Sequence, residues 1–593
     1  MRTARALLLM FLCSLPARAA TDYIIDLAET KSGRLLVRGE TYCERAPCTF
    51  LMPAWSATYQ IREFAKYVER LEAETKAGQP LRVRKVTPSR WEIDNAGPEI
   101  VRFSYSVLAD RPGPFGASAG ADHVCLNLAQ VLIFPIASRA EPFSLRFKHV
   151  PKRWKTAIAL DERDGAYHAP SYDRLIDTPV HLSDFEERSF VHHGRTIRMV
   201  FHGPHGYYDP DLVEQSNRKI VAAAGELMGG LPLDSYLFVY HFSNEDGGGM
   251  EFRNGTSIYG PEDCSRCELS SLSAHEFFHL WNVKRIRPRS LEPVDFERGN
   301  VTPSLWFAEG VTSTYSQYIR LQSGLLSEAE FVSYLGRLVD SYERRPASRT
   351  QSAEESSIEA WLERYAGYGR PERSVSYYLK GELIGHLLDL TIRHYSGNQR
   401  SLDDVMRRMN LEYSLEGRYY EDTAAIERIT SEVTGRDMAD VFDALVRTPS
   451  PVDWDSYLGW AGYRLATTRQ TRRRIGVHAT SAPGEGVRVA SVDEDSPAEA
   501  AGLKRGDRIM ALNGSRITGG SNSVADMIER SEARKVSLEI ERDGSPMNIE
   551  VRPRESSVKS YRIEEVDKPT EEQLELRRGW LTRQTVAPPA ASQ

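Results

Sequence analysis

The sequence predicts a multidomain α+β protein: a β-sandwich-like N-terminal domain, a mostly helical middle and a smaller β-rich domain towards the C-terminus. Three observations carry this. The chain has 593 residues, and at ~150 residues per domain that makes three or four domains. Short β-branched and aromatic runs, separated by Gly, Pro and Asp turns, fill residues 20–198 and return over 463–556. Between them, over 199–462, apolar residues recur at helical spacing. With 41% apolar and 27% charged residues, the composition is that of a folded globular chain and excludes wholesale disorder. The net charge is −7 with no dominant basic stripe, which argues against nucleic acid as a partner.

The elements follow in order. Residues 1–19 read as a signal peptide: Arg2 and Arg5, an apolar core over 6–16 (ALLLMFLCSLP), then Ala17-Arg18-Ala19 with cleavage after Ala19. The expected location is therefore periplasmic or extracellular. Beyond residue 20 no apolar run approaches the ~18 residues of a bilayer span, so no stable membrane span is expected after cleavage. Export permits disulfides, and the close pairs Cys43–Cys48 and Cys264–Cys267 are expected to form them, leaving Cys125 as a small buried hydrophobe. Strands are expected at TDYIIDL, RLLVRG, CTFLMPAW, EIVRFSYSVLA and FSLRFKHV. A helix is expected over 62–74 (REFAKYVERLEAE), where Phe64, Val68 and Leu71 share a helical face. Residues 557–593, ending in VAPPAASQ, are expected to be a tail.

The chemistry concentrates at His275-Glu276-Phe277-Phe278-His279. Histidines at i and i+4 leave the same face of a helix, about 40° apart, and suit one Zn²⁺ bound at ~2.0–2.1 Å. Glu276 lies beside that face and can deprotonate a water that zinc has acidified to a pKa near ~7. Catalytic zinc takes a third protein ligand. Glu309 in WFAEG, at the start of the helical run VTSTYSQYIRL, is the candidate.

The run HEFFHLWNVKRIRP, followed by WFAEG and SYYLKG, resembles the glycyl aminopeptidase family of metallopeptidases, M61. Met52-Pro53-Ala54-Trp55 with Tyr59 and the stretch 61–65 resembles the family's N-terminal β-domain, and residues 380–409 resemble its helical half. The resemblance implies a thermolysin-like zinc peptidase domain over 199–462, of gluzincin type, holding one zinc per chain. It also implies that Tyr378, in Tyr378-Leu379-Lys380-Gly381, stabilises the tetrahedral intermediate, with Tyr377 as its rival. A Gly-x-Met-Glu strand binds substrate in related aminopeptidases. This makes Gly248, Gly249, Met250 and Glu251 the expected substrate-binding residues, with Glu251 on the α-ammonium. The gap between His279 and Glu309 is longer than in the larger relatives, as is usual in this family.

The last β-rich segment, 463–556, fits a PDZ-like fold. SPAEAAGLKRGDRI is its most specific run, and Ile475-Gly476-Val477 is expected to form the carboxylate-binding turn and first groove strand for a peptide C-terminus. This segment carries no candidate metal ligand, so a chain ending near 462 is expected to keep its hydrolytic activity. The expected function is an exported zinc aminopeptidase acting on peptides with a free N-terminus and small first residues, Gly or Ala. The alternatives are a zinc endopeptidase and a peptide-binding scaffold built around the PDZ-like domain.

Overall fold

The computed structural model describes residues 21–56, 59–204, 206–243, 247–265, 269–363, 371–481, 487–517 and 522–586. The expected signal peptide lies outside the described residues. Among the described residues no helix is long and apolar enough to cross a membrane. The chain divides into two compact units, one formed by residues up to 55 with 62–185, the other by 56–61 with 186–593.

The first unit is built of an eleven-stranded sheet and a four-stranded sheet. Alternating runs such as Glu99–Leu108 bury one face, here Val101, Phe103, Tyr105 and Val107. Three buried phenols find carbonyl acceptors on consecutive residues: Tyr105 on Val131, Tyr172 on Leu132 and Tyr23 on Ile133. Cys43 and Cys48 form a disulfide, and Cys125 is buried. Cys264 is also disulfide-bonded, while Cys267 lies outside the described residues.

Two expectations fail here. Residues 62–74 are not a helix. A short 3₁₀ turn at Phe64–Tyr67 leads into a strand, Val68–Thr75, paired antiparallel with Glu99–Leu108. No side chain caps the turn at Glu63, and a bulge at Arg70, with φ of 56°, shifts the register. The offered edge of the sheet outweighs the local helical spacing. The first unit also ends at 185 rather than 198. Strands Glu186–His192 and Arg195–His202 belong to the second unit's sheet, where they lie next to Ser235–Ser243.

That second sheet has five strands and ends in the hairpin Gly248–Phe252 and Gly255–Pro261, with Gly248–Phe252 at its edge. Helices Pro210–Met228, Ser270–Phe278, Thr312–Gln322 and Tyr377–Tyr395 pack into one apolar core with it. Residues 477–551 form a separate six-stranded sheet with helices Pro497–Ala500 and Asn522–Arg530 around their own core of Ile475, Val487, Ile509, Leu538 and Val551.

The tail expected over 557–593 is largely folded. Strand Arg554–Glu565 pairs along its whole length with Tyr463–Arg474, which leaves 463–474 outside the six-stranded sheet. Helix Glu571–Thr582 then buries Leu576, Trp580 and Leu581 in the helical core. A ribbon therefore leads out to the 477–551 sheet and back, and the chain closes on the helical domain. Residues 587–593 lie outside the described residues.

Candidate functional site

Helix Ser270–Phe278 has an aromatic face and a polar face. Phe278 stacks on Tyr315 with centroids 4.2 Å apart, and Phe277 meets Tyr236 edge-on at 4.9 Å. These rings fix the helix so that His275 and Glu276 turn the other way, with His279 at its C-terminal end. Glu309 comes from the π-helical turn Trp306–Val311, which runs into helix Thr312–Gln322. Such turns concentrate at functional sites. This one is pinned by Asn282, whose Nδ2 donates to the Phe307 carbonyl at 2.8 Å, and by Ser357, whose Oγ accepts from the Trp306 amide at 3.0 Å. Gly310 and Gly381 face each other so closely that a methyl on either would overlap the other's backbone. That approach sets helix Tyr377–Tyr395, and with it Tyr378, against the turn carrying Glu309.

The three predicted ligands meet. His275 Nε2 and His279 Nε2 are 3.1 Å apart, and Glu309 Oε2 lies 3.5 and 3.3 Å from them. Donors held at ~2.0–2.1 Å around a tetrahedral ion lie about 3.3–3.4 Å apart, so the triangle has the size zinc needs. His279 Nδ1 donates to the Asn282 carbonyl at 2.7 Å, which in the neutral ring leaves Nε2 as the ligand nitrogen. Buried Glu309 Oε2 has no hydrogen-bond partner. An orphaned carboxylate oxygen at the apex of two imidazoles fits a metal and little else.

The electrostatics agree. Burial drives His279 down, but the Glu309 carboxylate lifts it to about 10. Burial lowers His275 in spite of the Glu309 carboxylate 3.5 Å away, and His279 adds to that shift. One positive charge satisfies the carboxylate and repels a second. Burial pushes Glu309 up, and His279 more than reverses this, holding the carboxyl well below the usual range. The cluster is arranged to take positive charge between its members.

Glu276 is 5% exposed, and its Oε2 also lacks a partner. Its carboxylate lies against Gly249, where any side chain would collide with it. The glycine at 249 therefore serves the approach of the edge strand to Glu276. Met250 is buried, and Glu251, 7% exposed, turns inward so that its carboxylate, that of Glu276 and a His279 nitrogen lie within 4.8 Å of one another. Lys284 Nζ is 3.8 Å from Glu251 Oε1, a pairing that no sequence motif singled out. Tyr59 is a further residue missed as a site component. Burial, then the Glu309 and Glu251 carboxylates, hold its phenol well above the usual value. Its only signal was its place in the N-terminal signature.

The two tyrosines separate cleanly. Tyr377 is 3% exposed and packs in the interior. Tyr378 is half-buried, its ring centroid 6.1 Å from that of His275. The Ser376 hydroxyl caps this helix by accepting from the Tyr378 amide at 3.2 Å, and buried Lys380 donates to the Gln351 carbonyl at 2.6 Å.

The remaining candidates lie on the six-stranded sheet. Ile475 is buried in that sheet's core, and its carbonyl accepts from Ala498 at 2.8 Å. Gly476 has φ of 78° and packs against Ser496, so glycine is required twice over. Val477 opens the strand Val477–Ser481, which lies at the sheet's edge.

Three family models match the chain. M61 glycyl aminopeptidase covers residues 268–384, the M61 N-terminal domain covers 22–184 and the PDZ domain covers 468–552. The first interval contains His275, Glu276, His279, Glu309 and Tyr378. The crystal structure of an aminopeptidase N family protein from Idiomarina loihiensis is similar at 26% identity and a TM-score of 0.83, over 95% of this chain and all of that one. The crystal structure of an M1 zinc metallopeptidase from Deinococcus radiodurans is similar at 15% identity and a TM-score of 0.48, over 73% of this chain and 94% of that one. No curated protein matches the chain.

Proposed function

We propose that this chain, a zinc metallopeptidase of the M61 glycyl aminopeptidase family with a C-terminal PDZ domain, is an exported aminopeptidase that removes small first residues, Gly or Ala, from peptides. The observation that carries the catalytic reading is the 3.1–3.5 Å triangle of His275, His279 and Glu309 with the Glu276 carboxylate beside it. These three residues hold one zinc. When bound, zinc supplies Lewis acidity that acidifies a water and polarises the scissile carbonyl.

The chain's own residues do the rest. Glu276 takes the proton of the attacking water and returns it to the departing amine. Tyr378 donates a hydrogen bond to the developing oxyanion, a contribution of about 3 kcal/mol for one such donor. The edge strand Gly248–Phe252 pairs with the extended peptide, and Gly249 lets that strand lie against the Glu276 carboxylate. Glu251 accepts the α-ammonium and so fixes the distance from the N-terminus to the bond that breaks. The edge strand Val477–Ser481 takes a peptide C-terminus at the second site. Export is supported by the composition of residues 1–19 and by the Cys43–Cys48 disulfide. The preference for small residues rests on the family description, and a panel of Gly-, Ala- and Leu-aminoacyl reporters tests it.

Glu251→Ala is expected to lower kcat/KM for free-amine reporters tenfold to a hundredfold, the value of one charge-assisted hydrogen bond of ~1.5–3 kcal/mol. It should leave any residual cleavage of N-acetylated peptides unchanged. Wild-type enzyme that cleaves free and N-acetylated peptides equally well would overturn the aminopeptidase reading in favour of an endopeptidase. Tyr378→Phe is expected to reduce kcat more than it changes KM, because its hydrogen bond strengthens as the oxyanion forms. Tyr377→Phe should be milder. The reverse order in steady-state kinetics would move the role to Tyr377.

A further inference from the structure

The geometry points to Lys284 as a positioning residue for the amine anchor: it holds the Glu251 carboxylate in one orientation and thereby sets the enzyme's preference for a free N-terminus over a blocked one. This rests on the reading of Glu251 as the group that receives the α-ammonium.

Glu251 sits among its own kind. Its carboxylate shares a 4.8 Å neighbourhood with that of Glu276, and Glu309 is close enough to act on it electrostatically. Like charges repel, so an unrestrained Glu251 side chain would swing away from Glu276 and out of the place where an amine must be met. Its Oε1 has no hydrogen-bond partner. Lys284 makes the one ion pair with Glu251 among the described residues, at 3.8 Å, with the two side chains 10% and 9% exposed. Burying a lysine beside a carboxylate costs desolvation and side-chain freedom that an apolar pair would not. Such a pair is weak evidence for stability and better evidence for orientation.

The lysine is itself held at both ends of its backbone. Its amide donates to the His279 carbonyl at 3.1 Å, and its carbonyl accepts from Arg253 at 3.3 Å. Arg285, the next residue, donates to the carbonyls of Arg253 and Leu280 and to Asn254 Oδ1, at 2.8, 3.0 and 2.8 Å. Arg253 and Asn254 form the turn of the hairpin whose first strand carries Glu251. The loop after the metal helix is thus stitched to the hairpin, and the ammonium and the carboxylate are clamped into one frame. Lys284 at 3.8 Å orients Oε1 without hydrogen-bonding it, so that oxygen keeps the capacity to accept from a substrate ammonium.

The test uses the zinc-loaded full chain. Lys284→Met is expected to raise KM for a free-amine Gly reporter about tenfold or more while kcat stays within about threefold. Zinc content and cleavage of the N-acetylated reporter should not change. Lys284→Arg should restore most of the loss. In a Glu251→Ala background, Lys284→Met should add almost nothing, since residues acting as a unit are non-additive. A readout that needs no turnover is calorimetric binding of glycinamide against N-acetylglycinamide to Glu276→Gln protein, where Lys284→Met should erase the preference for the free amine. Additive losses, equal losses on both reporters, or an unchanged KM with zinc retained would overturn the proposal. Should Lys284→Met fail to fold, glycinamide binding to Lys284→Arg and Lys284→Gln decides the matter: the arginine must keep the preference and the glutamine must lose it. If Glu251→Ala itself fails to separate the two reporters, the anchor reading falls and the role of Lys284 falls with it, whereas a Glu251→Ala effect with no Lys284→Met effect overturns the role of Lys284 alone.

Discussion

Glu276→Gln protein is expected to keep its zinc and lose turnover by about 10²–10⁴, the usual consequence of removing a general base. Glutamine has the shape of glutamate and still fits against Gly249, where no bulk can be added. It can hydrogen-bond a water but cannot take its proton. Glu276 is not a member of the ligand triangle, so the metal has no reason to leave. Burial pushes the Glu276 carboxyl up to about 8 against the pull of His279. A dication bound by the three ligands acts in the opposite direction and returns the group towards the range where a base works at neutral pH. His279→Ala is the matched control, because it removes a ligand and should cost the metal itself. Elemental analysis alongside kcat separates the two variants. Near-normal kcat in metal-loaded Glu276→Gln protein would place the base elsewhere.

The convergence of His275, His279 and Glu309 was legible because metal chemistry demands local spacing. Two imidazoles four residues apart must share a helical face, and Glu309 follows Trp306 and Phe307, which are buried with the turn carrying it. The supporting residues were not legible for the opposite reason. Lys284 sits in a basic run, VKRIRPR, where nothing distinguishes it from a solvated lysine until the hairpin turn at Arg253 and Asn254 is brought alongside. Gly310 and Gly381 are 71 positions apart in the sequence, and only packing reveals that each needs the other to be glycine. The stretch 62–74 was misread because Phe64, Val68 and Leu71 keep helical spacing, while the competing interaction, the edge of strand Glu99–Leu108, lies some thirty residues away. The strap at the C-terminus did leave a signal. Thr570-Glu571-Glu572-Gln573 is a capping box in which Thr570 Oγ1 accepts from the Gln573 amide and the Gln573 side chain accepts from the Thr570 amide. The strand before it is charged and alternating, and its partner, Tyr463–Arg474, is reached only after the whole PDZ sheet has been traversed.

That strap reverses the expectation for truncation. A chain ending near residue 462 is expected to lose soluble, active enzyme altogether, whereas removal of the PDZ sheet alone should spare hydrolysis of small reporters. Truncation strips Leu576, Trp580 and Leu581 out of the helical core, at ~1.5–3 kcal/mol for each large apolar side chain. It also takes away Arg583, a fully buried cation paired with Asp389 and, at 2.7 Å, with Asp403. Burial pushes the Asp389 carboxyl up, but Arg583 and then Arg393 overcome that and hold it well below its usual range. Without Arg583, buried Asp389 keeps Arg393 and buried Asp403 loses the cation at 2.7 Å, and stripping one partner from such a network costs about 3–5 kcal/mol. Asp389 lies on the helix that begins at Tyr377 and carries Tyr378, so the damage reaches the scaffold of the proposed oxyanion donor. Together these losses are of the same order as the ~5–15 kcal/mol by which domains are stable. The alternative deletion respects the fold. Arg474 and Arg554 are directly opposed at the end of the ribbon, so residues 475–553 can be replaced by Asn-Gly, the dipeptide that closes a two-residue hairpin. The expected result is a shortened enzyme that keeps its zinc and its kcat/KM for a Gly reporter within a fewfold. A soluble 1–462 chain with undiminished zinc and activity would show that the strap is dispensable, and loss of activity in the hairpin-closed chain would show that the PDZ sheet completes the catalytic unit.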